Sequence, residues 1–149
     1  MTTQSIFLPF MCRLRFLEVY MGLGSATIHD FNLLSFFMES LCISLTSPAT
    51  LEHLRLNIRF RGNIYSFDPN VFCENLILCN DVWRHLDSIT THPTGSRLRR
   101  VDINIDYAFR YDDVGKESEY KVEKAVFDCL PLLRTKGILF VEAVLGVLG

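Results

Sequence analysis

The residues best equipped for chemistry lie in the segment VDINIDY, where Asp102, Asn104 and Asp106 are spaced two apart. D-x-N-x-D is the opening of many calcium loops. Such a loop also needs Gly at its sixth position and a bidentate Glu at its twelfth. Counted from Asp102 those positions hold Tyr107 and Asp113. The intervening Ile103 and Ile105 are strand residues, and a strand does not wrap an ion, so no metal is expected here. Gly22 and Gly24 in MGLGSAT imitate the start of a dinucleotide-binding G-x-G-x-x-G, but Thr27 stands where the third glycine belongs. A plain turn is the expected reading. A small α/β enzyme that holds a nucleotide or phosphate at this GLGS turn is the alternative. Cys73, Cys79 and His85 are six residues apart and fall on different sides of a helix, so zinc is not expected. No G-x-S-x-G nucleophile motif occurs, and His29, His53 and His92 have no Ser or Cys beside them in a recognisable arrangement. No catalytic residue and no cofactor are assigned, and the chain is read as non-enzymatic.

The polar residues of VDINIDY alternate with apolar ones, and the same alternation recurs. LEHLRLNI from Leu51 and LRRVDINI from Leu98 both carry apolar residues at positions 1, 4, 6 and 8. LRFLEVYM from Leu14 fits the same frame, and ILFVEA from Ile138 is a weaker copy without the leading Leu-x-x-Leu. The first three copies start 37 and then 47 residues apart. A period of tens of residues points to stacked units. The frames predict strands near 14–21, 51–61, 98–109 and 138–145. Helix-like segments separate them: 31–41 after the capping Asp30, 71–89 as either one helix or two divided at Asn80-Asp81, and 117–130 before Pro131. Turn chemistry marks 46–50, 91–96, 111–118 and 135–137.

Strand and helix in alternation imply about four parallel strands with crossover helices on one face, in a single α/β domain covering 1–149. A sheet covered on both faces would have nearly continuous apolar strands. Here every second position is polar, so one face is expected to be bare. Superposing the frames sets Glu18, Arg55 and Asp102 in one row across it. Tyr20, Asn57 and Asn104 form the next, and Gly22, Arg59 and Asp106 the third. Asp102 is then expected beside Arg55, and Asp106 beside Arg59, each pair contributing roughly 0.2–1 kcal/mol. Taken singly, each of these side chains reads first as the solvated side of a sheet. Together, Glu18, Tyr20, Arg55, Asn57, Arg59, Asp102, Asn104 and Asp106 form the surface expected to bind a protein partner.

The frame L-x-x-L-x-L-x-I resembles the strand segment of leucine-rich repeats. The longer pattern, with SPATLEHLRLNI, WRHLDSI, SRLRRVDINI and LPLLRTKGILFVEA, is similar to the C-terminal repeat region of fungal, mushroom-type F-box proteins, over roughly 14–146. The repeats are longer and less regular than the usual 20–29 residues. The resemblance implies a leucine-rich-repeat-like solenoid fragment, akin to the substrate-recognition repeats of an F-box-type ubiquitin-ligase adaptor. No F-box helical pattern precedes the first repeat strand, so ligase docking does not carry over. A fragment without a function of its own is a further alternative.

Bulk properties agree with a single packed domain. The 149 residues are 49% hydrophobic, with 12 Phe, and the net charge is −2 from 15 basic and 17 acidic residues. That balance does not suit nucleic acid or an anionic membrane. Arg97, Arg99 and Arg100 are expected to mark a strand entrance rather than a phosphate site. Five cysteines, an odd number with no C-x-x-C, suggest reduced thiols in the cytoplasm or nucleus. The N-terminus does not read as a signal peptide, and the apolar run 138–148 is too short to span a bilayer. Phe36 and Phe37 are adjacent, so one is expected to point outward. The uncapped ends of a repeat stack offer a route to self-association.

Overall fold

The computed structural model describes residues 15–23, 28–45, 51–60, 73–75, 80–91, 97–109 and 116–147. Four parallel strands form one sheet in the order of the sequence. They are β1 (Phe16–Leu23), β2 (His53–Phe60), β3 (Arg100–Phe109) and β4 (Leu139–Val147). Helix α1 (Ile28–Leu45) links β1 to β2, and α2 (Asn80–Asp87) continues into a 3-10 turn (Ser88–Thr91) before β3. Two helices, α3 (Lys116–Asp128) and α4 (Pro131–Thr135), lie between β3 and β4. The strands start and end within about two residues of the expected bounds. Helix α1 runs three residues earlier and four later than its apolar run.

Strand period and register explain the two faces. Leu54, Leu56, Ile58 and Phe60 on β2 and Val101, Ile103 and Ile105 on β3 are buried, and the residues between them point the other way. The register pairs Leu54 with Val101, Leu56 with Ile103 and Ile58 with Ile105, so the same rows run across the sheet. One core joins these side chains to Leu34 and Met38 of α1, Trp83 and Leu86 of α2, Val122 and Val126 of α3, and Leu133 of α4. All four helices therefore pack on one side. Right-handed crossovers between consecutive parallel strands have this result. Each fully buried Leu or Ile contributes about 1.5–3 kcal/mol. The strand entrances repeat as well. Glu52 and His53 N–H both donate to the Arg15 carbonyl, at 2.8 and 3.0 Å, and Arg99 and Arg100 N–H both donate to the Glu52 carbonyl, at 2.7 and 3.1 Å.

Pro131 ends one helix and opens another. It occupies the first turn of α4, where a missing N–H costs nothing. Leu130, at the cap position, cannot accept from that turn. Asp87, 45 residues earlier and buried at the end of α2, does so instead. Its two carboxylate oxygens accept the Leu132 and Leu133 N–H groups, at 3.1 and 2.9 Å. Gly137 closes α4 with φ +71°, and its N–H donates to the Arg134 carbonyl at 3.0 Å. Among the described residues no helix is long and apolar enough to cross a membrane. Phe36 is the outward member of its pair, and Phe37 packs against the core.

Asp87→Ala strands two N–H donors, that of Leu133 buried and that of Leu132 partly so, and is expected to cost about 1–3 kcal/mol. Asp87→Asn, which keeps one acceptor oxygen, should cost less. Urea unfolding of the three proteins checks the order.

Candidate functional site

The outer face of the sheet is built from the residues between the core positions. From the N-terminal end of the strands, its rows are Phe16 and His53 with Arg100, then Glu18, Arg55, Asp102 and Phe140. Tyr20, Asn57, Asn104 and Glu142 follow, and then Gly22, Arg59, Asp106 and Val144. All eight residues expected on this face are brought together in the expected rows. The β4 members were missed because the weaker repeat there offered no frame to superpose. Simple alternation from Leu139 would have found Phe140, Glu142 and Val144.

The face divides into two halves. In the N-terminal half, Asp102 is the hub. Only 6% of it is exposed, because Arg100 and His53 lean over it. Arg100 Nε donates to both carboxylate oxygens at 3.1 Å, and His53 Nε2 bonds Oδ2. Burial pushes the Asp102 carboxyl up, but the hydrogen bonds and charges of Arg100 and His53 prevail and hold it below the usual carboxylate range. It is ionised at neutral pH and can only accept, so His53 Nε2 carries the proton. Two aromatic rings flank the cluster. The Phe16 ring meets His53 edge-on, with centroids 4.7 Å apart, and Arg100 lies 4.2 Å over the Phe140 ring.

The expected Arg55–Asp102 ion pair is present, with Arg55 Nε 3.7 Å from Asp102 Oδ2, and Arg55 also donates to Glu18 at 3.3 Å. The closer partners, His53 and Arg100, occupy the row below, and a row-by-row superposition does not look diagonally. Their closure over Asp102 takes it out of the accessible surface: the residue supports the face from beneath. Asp106 and Arg59 do pair as expected, at 2.9 Å, with both side chains more than a third exposed.

In the C-terminal half the polar groups link sideways. Asn104 Nδ2 donates to Asn57 Oδ1 at 2.9 Å, and Asn57 Nδ2 donates to Glu18 Oε2 at 3.1 Å. The Asn57 bond, against the cost of burial and aided by Tyr20 and Arg55, holds the Glu18 carboxyl below its usual range. The neighbouring Glu18 carboxylate in turn raises the Tyr20 phenol. Here the face sinks into an open trough of about 830 Å³, lined by Tyr20, Asn57, Arg59, Asn104, Asp106 and Glu142 among others. Tyr20 is 76% exposed at its rim. Glu142 has no ion-pair partner among the described residues.

Other candidates do not converge. Among the described residues no group of three or more His, Cys, Asp or Glu is placed to hold a metal ion. Along a strand that rises about 3.3 Å per residue, Asp102 and Asp106 are roughly 13 Å apart, and each already holds a cation. Cys73 and Cys129 are free, and burial pushes both thiols up, away from the reactive thiolate. Residues 24–27 of the glycine turn, most of the turns at 46–50, 91–96 and 111–118, and Cys12, Cys79 and His92 lie outside the described residues, as do the side chains of His29 and Cys42.

The two halves should respond differently to substitution. Asp102→Asn is expected to destabilise by about 1–3 kcal/mol at pH 7, as for hydrogen bonds to a buried charge. The Asp102 carboxyl is lowered in the folded state, so its contribution is complete above its unfolded value near 4. It is lost as the pH falls through the folded value. Urea midpoints of wild type and Asp102→Asn should therefore converge below about pH 4. A gap that widens in acid would contradict this. A double-mutant cycle on the exposed Arg59–Asp106 pair should give about 1 kcal/mol or less, fading in high salt.

Comparison of the chain with protein-family models, with curated proteins and with solved structures finds no match, so the reading of this face rests on its own geometry.

Proposed function

We propose that this chain is a non-enzymatic protein-binding module, a leucine-rich-repeat-like solenoid segment that receives its partner on the open face of the sheet. The observation that carries this reading is the trough over the C-terminal half of the strands. It lies on the face the helices leave bare, and its floor is cross-linked by hydrogen bonds among Glu18, Asn57 and Asn104. A pre-ordered polar floor lowers the entropy lost on binding. Tyr20 and Arg59 at its sides are residue types that dominate interface energies. The repeated frame, shared by the core-facing rows of β1, β2 and β3, supports the solenoid reading, and open faces of solenoids are where such proteins engage partners. The resemblance to the repeat tails of F-box proteins suggests the same kind of task, recognition of a protein substrate.

Chemistry on the substrate has little support. The His53–Asp102 pair is the arrangement that activates a nucleophile elsewhere. Among the described residues of these rows there is no Ser, Thr or Cys for it to serve. Asp102 is also neutralised by Arg100. The contact residues on this reading are Tyr20, Asn57, Arg59, Asn104, Asp106 and Glu142. Glu18, Arg55 and Asp102 hold them in place.

Affinity capture from the source cells, comparing wild type with Arg59→Ala/Asn104→Ala, tests the assignment. Proteins enriched by wild type should fall at least tenfold with the double variant, while thermal stability stays close to wild type. Unchanged capture by a folded double variant would refute the assignment.

A further inference from the structure

The two edges of the sheet are finished differently. On β4, Val101 N–H donates to the Ile138 carbonyl at 2.8 Å, so the alternate peptide groups, at Leu139, Val141 and Ala143, point away from β3. One group of that edge is taken within the chain: Glu123 of α3 reaches across, and its Oε1 accepts the Ala143 N–H at 3.0 Å. On β1, the Arg15 carbonyl faces β2, so the peptide groups of Phe16, Glu18, Tyr20 and Gly22 point outward. Among the described residues nothing bonds to this row. The core is also thinner there. Leu17, Val19 and Met21 are only partly buried, whereas their row partners on β2 and β3 are almost wholly buried. Helix α1, which follows β1 in the chain, exposes Leu33 (52%) and Phe36 (66%), one helical turn apart.

We propose that a second copy of this chain covers this edge, β1 pairing antiparallel with β1 of the copy about a two-fold axis through Val19. Head-to-tail pairing of β1 with β4 would have to displace Glu123 from the Ala143 N–H, whereas β1 on β1 displaces nothing among the described residues and gives a closed, self-complementary arrangement. The register follows from chemistry. Opposed residues of an antiparallel pair must lie on the same face of the sheet. A two-fold at Glu18 would set two carboxylates against each other. A two-fold at Val19 sets Glu18 opposite Tyr20 of the copy, a carboxylate facing a hydroxyl, and Leu17 opposite Met21 on the core side. It also makes Glu18–Tyr20 and Phe16–Gly22 the hydrogen-bonded pairs, which are the residues whose peptide groups point outward. The first crossover lays α1 over β1 and β2. With strands about 4.8 Å apart, the two α1 helices then lie roughly 10 Å apart, a normal packing distance. The exposed Leu33 and Phe36 give them apolar surface to share. The result is a continuous eight-stranded sheet with all helices on one side and two troughs on the other.

Sedimentation of the full chain from 5 to 200 μM tests this. Wild type should reach twice the 17.2 kDa chain mass. Tyr20→Pro removes an outward N–H and leaves the bonds to β2 intact, because Pro is tolerated on an edge strand with its N–H side outward. It should raise the dimer dissociation constant at least tenfold while circular dichroism shows a folded sheet. If that variant does not fold, Val19→Cys decides: the two-fold places the introduced thiols opposite each other, and a mild oxidant should yield a covalent dimer that wild type does not form. A monomer at 200 μM would overturn the proposal. So would Tyr20→Pro dimerising like wild type, or Val19→Cys failing to cross-link.

Discussion

In-register parallel pairing of β2 with β3 is the constraint on which the rest of this structure depends. Because side chains alternate along a strand, a slip of one residue would drive Arg55, Asn57 and Arg59 into the core and expose Leu54, Leu56 and Ile58. The same register that buries the apolar rows therefore places Arg59 beside Asp106 and Asn57 beside Asn104. Core and candidate site are two consequences of one pairing. The energies are unequal: burial of the apolar rows contributes several kcal/mol per strand, and the exposed ion pair contributes less than about one. The core sets the register, and the polar face is arranged by it.

A bare sheet face that carries this many charges must keep them from competing for the wrong partners. The N-terminal half does so by convergence. Arg100 and His53 close over Asp102 and are steadied by Phe140 and Phe16, giving a small desolvated knot with no accessible carboxylate. The C-terminal half does so by chaining, Asn104 to Asn57 to Glu18, which engages both the oxygen and the nitrogen of the Asn57 amide and the nitrogen of the Asn104 amide.

Much of this was legible in the sequence because one signal, the repeated L-x-x-L-x-L-x-I frame, specifies strand, face and register together. It placed Glu18, Arg55 and Asp102 in their true row. It failed where contacts are diagonal or distant. His53 and Arg100 reach Asp102 from the neighbouring row, which a superposition of frames cannot rank against a direct partner. Asp87 caps a helix 45 residues away, and no local pattern around Leu130 and Pro131 announces a donor from another element. β4 was found as a strand, but its outward residues were not, because its copy of the frame is degraded where the register must be counted.

The division of the face bears on how a partner would be recognised. Over the knot, the exposed surface is Phe16 and Phe140 and the outer sides of two arginines; Asp102 is buried, and the partly exposed Glu18 carboxylate is taken up by Arg55 and Asn57. Over the trough, carboxylates remain exposed. Asp106 is shared with Arg59, but Glu142 is unneutralised among the described residues and lies beside the apolar Val144. A segment crossing both halves along the strands would pass from an aromatic, arginine-edged surface to one with a spare negative charge. On the proposed reading, a basic residue would fit the second position and be opposed at the first, so the charge pattern would set the direction in which a peptide lies. That polarity comes from the burial of Asp102. Were it exposed like Asp106, the two halves would be electrostatically alike, and a bound segment would have no reason to prefer one orientation.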